Sequence, residues 1–459
     1  MDNRRKIPLI SLFSENRKEA ATVLQTAWPA VLESFFVSLA GMIDIMMVSD
    51  ISSSAVAAIG LTTQPKFIGL AFFIALNVSV SSIVARRRGE KRRDSANSTL
   101  MTALLVSLTA TVLISLICVF GADRIMELCG SNEDTHELAV AYFRIIMGGM
   151  VFNTLSMLIN AAQRGAGNTR IAMTTNVTSS IVNVCFNYLL IGGHFGFPAL
   201  GVHGAALATV MGTVVACVMS ILSLRKADGF LSIPHCLKQK IRPSKEPVRA
   251  MLKIGSSIFS EQVLMRIGFT ATALMAADMG TDAMAAHQVG MNLLGLSFSF
   301  GDGLQSTAVA LTGRSLGEKN TERANLYGRL CQRCGNLISI VVALVFLLGG
   351  RTIFGLFFEE AHIVALGVTL SRIIVVIVLM QIPQVVYMGC LRGAGDVVFT
   401  MIASTISVTV VRTAVSFLMC YPMGLGLPGV WCGIIADQLC RLGLTSWRYR
   451  TGKWMQYKL

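Results

Sequence analysis

Asp44 stands in a long apolar run, eleven residues after Glu33. At 3.6 residues per turn that spacing is close to three turns, so both carboxylates line one face of one helix. An ionised side chain in hydrocarbon costs roughly 2.5–3.5 kcal/mol on the insertion scale, so it faces a cavity or a partner and marks a site. Asn183 and Asn187 lie one turn apart in a later run, and Thr209 follows in the next. Counted from the ends of their runs, the four residues reach similar depths. A carboxylate, two amides and a hydroxyl at one depth can hold a proton. They can also hold a small hard cation, with Na+ placed at Asp44, Asn183 and Asn187, because such ions take oxygen ligands. The competing reading is that the two asparagines only tie helices together by hydrogen bonds.

A second acid, Glu261, falls about eleven residues into its own run, near mid-membrane, and is a further candidate for cation coupling. Glu33 and Asp302, the latter between Gly301 and Gly303, are candidates for a cavity or an accessory role. Arg412 and Asp437 lie at matching depths on runs joined by a short loop, with Arg441 one turn beyond Asp437. These three are expected to form a structural ion pair. Cys331 and Cys334 make a CxxC with no companion pair, which fits a helix entry rather than zinc. The six histidines show no metal spacing. No cofactor is expected beyond the coupling ion.

The elements that carry these residues are read from hydropathy. Hydrophobic residues make up 53%, charged residues 14%, and mean hydropathy is +0.64. A soluble domain carries roughly 25% charged residues, so the chain belongs in a bilayer. Twelve stretches are long enough to span it: about 22–48, 54–84, 95–121, 137–162, 169–192, 201–224, 250–277, 283–313, 326–349, 362–390, 397–420 and 429–447. The expected fold is an all-α integral membrane protein. Residues 1–20 are polar and basic, with Arg4, Arg5, Lys6, Arg17 and Lys18, so the first span is expected to be retained rather than cleaved.

A net charge of +14 is not a nucleic-acid signal here. Most Lys and Arg fall in alternate connections, and only Arg124 and Arg351 fall in the other set of loops. Positive loops stay in the cytosol, which places both termini there, in a multi-pass cell-membrane protein.

The chain is also written twice. Gly89-Glu90-Lys91 returns at Gly317-Glu318-Lys319, an offset of 228 positions, and the same offset pairs Gln163–Thr169 with Leu391–Val397 and Glu33 with Glu261. No gap is needed. Six spans per half insert in one orientation, so the halves are parallel repeats. The N-lobe is expected at 1–224, a cytosolic linker at 225–249 with Pro234, Pro243 and Pro247, and the C-lobe at 250–459. Two lobes in one chain remove the need for a dimer, so a monomer is expected.

At this point the sequence resembles the multidrug and toxic compound extrusion (MATE) family over nearly its full length. The resemblance rests on the repeat, the Gly-Glu-Lys turns, the RGAG turns at 164–167 and 392–395, Asp44, the GVHGAA run from Gly201 and the GVWCGIIAD run from Gly429. It implies a V-shaped protein of two six-helix lobes. Such proteins export amphipathic, often cationic, compounds in exchange for inward H+ or Na+. It assigns the N-lobe site to Asp44, Asn183, Asn187 and Thr209. One branch carries Asp where Asn187 stands, so this chain departs from that branch's two-Asp proton mechanism and leaves Asp44 as the group to be protonated. In the C-lobe the resemblance assigns Glu261, while the acid of the sodium-coupled branch aligns with neutral Gln381, which is a candidate for the substrate cavity or an accessory role. The partners implied are small organic substrates and the lipid bilayer. An alternative is a related transporter that flips a lipid-linked precursor, for which Arg144, Arg266 and Arg372 would line a cationic cavity. An enzyme is not expected, because no His/Glu metal pair or activated nucleophile is present.

Overall fold

A computed structural model gives the fold and describes residues 16–49, 51–226, 229–358 and 360–457. The basic residues Arg4, Arg5 and Lys6 lie outside the described residues. The helices are α1 (Arg17–Ser49), α2 (Ser53–Gly89), α3 (Arg93–Phe120), α4 (Ala122–Leu128), α5 (Glu133–Gly148), α6 (Met150–Gly165), α7 (Thr169–Ile191) and α8 (Gly201–Ser223). After a connection that holds α9 (Ile233–Lys238) come α10 (Lys245–Asp278), α11 (Thr281–Gly317), α12 (Thr321–Gly355), α13 (Ala361–Ala394), α14 (Val397–Thr405), α15 (Thr413–Cys420) and α16 (Gly426–Arg450). The described residues hold no strand.

Twelve helical rods match the twelve expected spans, one for one. The fourth is broken: α5 and α6 meet at a 47° bend. The break falls at Gly148-Gly149, and small residues of this kind are a recognised cause of kinks. A Cβ on Gly149 would stand 2.6 Å from Val210, so glycine also lets α8 come close. The eleventh rod is interrupted by a π-helical turn, Ile406–Arg412, between α14 and α15. Seven of the described helices qualify as spans on length and hydropathy alone, or eight with the bent pair. The helices α7, α10, α11 and α16 fall outside that set. They carry the polar residues considered below. Two short helices, α4 and α9, were not expected from hydropathy.

The repeat is visible in the backbone. Lys91 and Lys319 both have φ +58°, a left-handed conformation at equivalent turns. Gly167 and Gly395, also equivalent, have φ +78° and +90°, where glycine carries no Cβ penalty.

The compact units do not follow the expected lobe boundaries. One unit comprises residues 33–259, and the other residues 1–32 with 260–459. The boundary falls inside helices because α1 and α10 continue unbroken past it. Ala20, Val23 and Ala27 of α1 share a core with Leu330, Ile377 and Trp431. Conversely, Gly255 of α10 packs on Ser79 of α2. The connection expected as a cytosolic linker is likewise part of the first of these units. Arg93 donates to Gly229 O at 2.6 Å, Asn97 to Phe230 O at 2.9 Å, and Ser232 N to Asn97 Oδ1 at 3.0 Å.

Candidate functional site

Within the unit of residues 33–259, α1, α7 and α8 bring the four N-lobe residues together. Asn187 donates to Asp44 Oδ1 at 2.6 Å. With its amide oriented to satisfy its neighbours, Asn183 Nδ2 donates to both Asp44 oxygens at 2.8 and 3.0 Å, and its oxygen accepts from Thr209 Oγ1 and N at 3.3 and 3.2 Å. Asn183 and Asn187 are buried and Asp44 is half-buried. The two asparagines sit one turn apart, so both amides face the same carboxylate. Gly212 of α8 makes this possible: a Cβ there would meet Ser179 O at 2.8 Å, so α7 and α8 pack backbone to backbone.

Two more side chains surround Asp44 that sequence reading passed over. Lys66 on α2 lies within electrostatic reach of it, with no direct ion pair among the described residues. Tyr142 on α5 is buried and also feels its charge. Lys66 lines a cavity of about 40 Å³ with Gly149, Asn153, Thr209 and Thr213. A lysine inside an apolar run is itself a signal. It would have found this residue.

The other acids are engaged by basic partners. Glu33 accepts from Arg164 at 2.5 Å and from Asn176 at 2.6 Å. Asn176 in turn accepts from Asn160, which accepts from Ser220, so Glu33 heads a polar ladder inside its unit. Glu261, 1% exposed, accepts from Arg392 Nη2 at both oxygens. That pairing gives Glu261, a candidate for cation coupling, a buried basic partner at the end of α13. Gln381 is buried and makes no hydrogen bond to Glu261. Nor does the structure bring Glu33 to Asp44, although both ride on α1.

In both RGAG turns the arginine clamps the repeat-equivalent glutamate. The first glycine, Gly165 or Gly393, leaves no room for a Cβ against the backbone of Ser81 or Val309, which are themselves equivalent positions. The last glycine takes the left-handed backbone.

In the other unit Arg412, Asp437 and Arg441 form one buried cluster. Arg412 Nη2 and Arg441 Nη2 donate to the same Asp437 oxygen at 2.6 and 2.8 Å. Arg412 also lies over Phe269, 4.7 Å from the ring centre, a cation–π contact. The π-helical turn ends at Arg412, and Thr409 within it donates to Leu264 O at 2.9 Å. Asp302 is half-buried on α11; a Cβ on its neighbour Gly303 would stand 2.5–2.6 Å from the backbone of Ala30 and Val31, so only glycine fits there. Arg144 is exposed and pairs with Asp123 on α4. No cluster of three or more His, Cys, Asp or Glu suited to a metal occurs among the described residues.

The repeat does not copy the Asp44 site. Positions 228 further on hold Thr272, Val411, Val415 and Asp437 in place of Asp44, Asn183, Asn187 and Thr209. Lys66 corresponds to Leu294. The glutamate clamps are shared by both halves, whereas the site is confined to one.

Comparison with known proteins agrees with this architecture. A Bacillus subtilis protein described as the uncharacterized transporter YisQ is 24% identical over 437 residues, 95% of each chain. A Thermotoga maritima protein described as the probable multidrug resistance protein NorM is 26% identical over 440 residues, 96% of this chain and 93% of that one. Among solved structures, an outward-facing multidrug resistance MATE family transporter of the MOP superfamily superposes with a TM-score of 0.88 at 22% identity, over 95% of this chain and 97% of that one. These relatives are transporters rather than enzymes. The MatE family model matches residues 29–189 and 257–418, one segment in each half of the repeat, and the chain belongs to that family.

Proposed function

We propose that the chain is a secondary antiporter of the cell membrane. It exports amphipathic or cationic organic compounds in exchange for inward H+ or Na+, by alternating access. The supporting observation is the setting of Asp44: a carboxylate inside a membrane helix bundle, held by two amides from a single helix and linked through Asn183 to a third helix. A carboxylate so placed changes its local hydrogen bonding whenever its charge changes, and that couples ion occupancy to the packing of α1, α7 and α8. In the proposed cycle the charged form accompanies cargo entry from the cytosol. Cation entry from outside neutralises Asp44, the helices readjust, and cargo leaves outward. The multidrug label of the Thermotoga maritima relative supports the cargo class. The distribution of Lys and Arg supports cytosolic termini, and the two halves in one chain support a monomer.

The test is efflux from vesicles under an imposed pH or Na+ gradient, with Asp44→Asn alongside. Cargo is chosen by a screen for protection against toxic compounds. Gradient-driven efflux is expected in the parent and lost in the variant. Equal efflux in both would overturn the coupling role of Asp44.

A further inference from the structure

We propose that the connection between α8 and α10, together with the first turns of α10, is a docking surface for anionic phospholipid headgroups. All of it lies in the unit of residues 33–259. The inference is independent of the antiport reading.

The connection is a strap held along the start of α3. Arg93 donates to Gly229 O and Phe230 O at 2.6 and 3.3 Å. His235 Nε2 lies 2.7 Å from Asp94 Oδ1. Further along, Ser98 donates to Arg242 O at 3.1 Å, and Ser244 N to Thr102 Oγ1 at 3.0 Å. The stretch of α3 from Arg93 to Thr102 spans about 13 Å of helix axis. Thr102 already belongs to the apolar run of that span. The strap therefore sinks toward the bilayer as it approaches α10, and its last residues stand at headgroup depth.

The side chains left on the outside have the chemistry of a lipid surface. Within α9, Cys236 is buried while Leu237 is 75% exposed, beside exposed Lys238. Lys240 and Arg242 follow, both exposed. On α10, Arg249, Leu252 and Lys253 are exposed at i, i+3 and i+4, so they share one face. These basic side chains make no hydrogen bond or ion pair among the described residues. In the sequence, residues 237–253 carry Lys238, Lys240, Arg242, Lys245, Arg249 and Lys253 against one acid, Glu246. Positive charge alone fixes which side of the membrane a loop occupies. Exposed leucines set among those charges add something else, because they suit the boundary between headgroups and acyl chains. A cluster of roughly four to eight Lys and Arg beside a membrane helix attracts anionic lipid. A nucleic acid would use the charges and leave the leucines bare.

The experiment uses the full chain reconstituted in vesicles. Leu237→Trp places a fluorophore on α9, and the parent measured alongside gives the background of the native tryptophans. Quenching is recorded with phosphatidylglycerol or phosphatidylcholine carrying brominated acyl chains, at equal mole fraction. Phosphatidylglycerol is expected to be favoured at least about fivefold, the worth of one lysine near an anionic surface. Adding Lys238→Gln/Lys240→Gln/Arg242→Gln is expected to abolish the preference. Adding Lys238→Arg/Lys240→Arg instead is expected to keep it, which controls for folding. Equal quenching by the two lipids would overturn the proposal, as would a preference untouched by the glutamine changes. Loss of the preference on adding inorganic phosphate, but not chloride of equal ionic strength, would also overturn it and mark a site for soluble anions.

Discussion

Arg392 Nη2 donates to both oxygens of Glu261 at 2.8 Å, and Arg164 holds Glu33 at the equivalent place in the other half. Each pair ties the end of an RGAG helix to the long helix that opens its half. Both acids lie at the point where that helix passes from one compact unit to the other, at residues 32–33 and 259–260.

Removing one partner of such a pair leaves a buried charge unopposed. Glu261→Gln is expected to destabilise the protein by about 3 kcal/mol, read as a lower midpoint of thermal unfolding in detergent. Adding Arg392→Gln is expected to recover part of that loss. Strictly additive losses would mean that the two side chains do not act as a pair.

The Asp437 cluster behaves by the same rule. Asp437→Ala leaves Arg412 and Arg441 buried together, a loss of about 3–5 kcal/mol, and folded yield in membranes is expected to fall sharply. Arg412→Ala/Asp437→Ala is expected to restore part of the yield. Independent losses would reject the cluster.

Within the candidate site, Asn183 is the bridge between Asp44 and Thr209. Asn183→Ala removes that bridge and both of its bonds to the carboxylate. Gradient-driven efflux is expected to fall about tenfold or more, by analogy with the cost of a lost charge-assisted bond of about 1.5–3 kcal/mol. Thr209→Val, which keeps Asn183 in place, is expected to cost less. Equal losses would mean that Asn183 acts only by packing.

Close approach of helices supplies a fourth test. A Cβ on Gly393 would stand 2.7 Å from Val309 O, against backbone that cannot swing aside. Gly393→Ala is expected to destabilise by about 1–3 kcal/mol. Gly41→Ala, with open space around it, is expected to leave the unfolding midpoint unchanged. Equal shifts would show that packing does not explain the RGAG glycine.

The connection that follows α8 offers a chemical probe. Cys236 is buried, donates to Asn97 Oδ1 at 3.5 Å, and burial pushes its thiol up from the usual range. A raised thiol holds less thiolate at neutral pH, so alkylation is slow there and quickens only as pH rises past the ordinary value of about 8.5. In a chain whose other cysteines are replaced, Asn97→Ala is expected to free the connection and speed alkylation at pH 7 several-fold or more. An unchanged rate would show that Asn97 does not hold the segment.

Hydropathy revealed the twelve rods because each must satisfy its backbone inside lipid. It could not reveal α4 and α9, which are short and lie between spans, or the π-helical turn, whose residues read as ordinary apolar helix. Asp44, Asn183, Asn187 and Thr209 were legible because polar side chains are costly in hydrocarbon. Lys66 follows the same logic, being a charged residue inside the second apolar run. The Arg392 clamp was hidden for another reason: its partner lies 131 residues away, and an arginine at a helix end looks like a loop charge.

The first turns of α1 complete a core made by residues 260–459, and the first turns of α10 belong with residues 33–259. A half-length chain cut at the midpoint would therefore be missing part of its own interior. It could fold only by lending its opening helix to a sister molecule and borrowing one back, the arrangement of a swapped dimer. Joining the two copies end to end makes that loan permanent. Severed halves of this protein should accordingly be insoluble alone and recover only when made together.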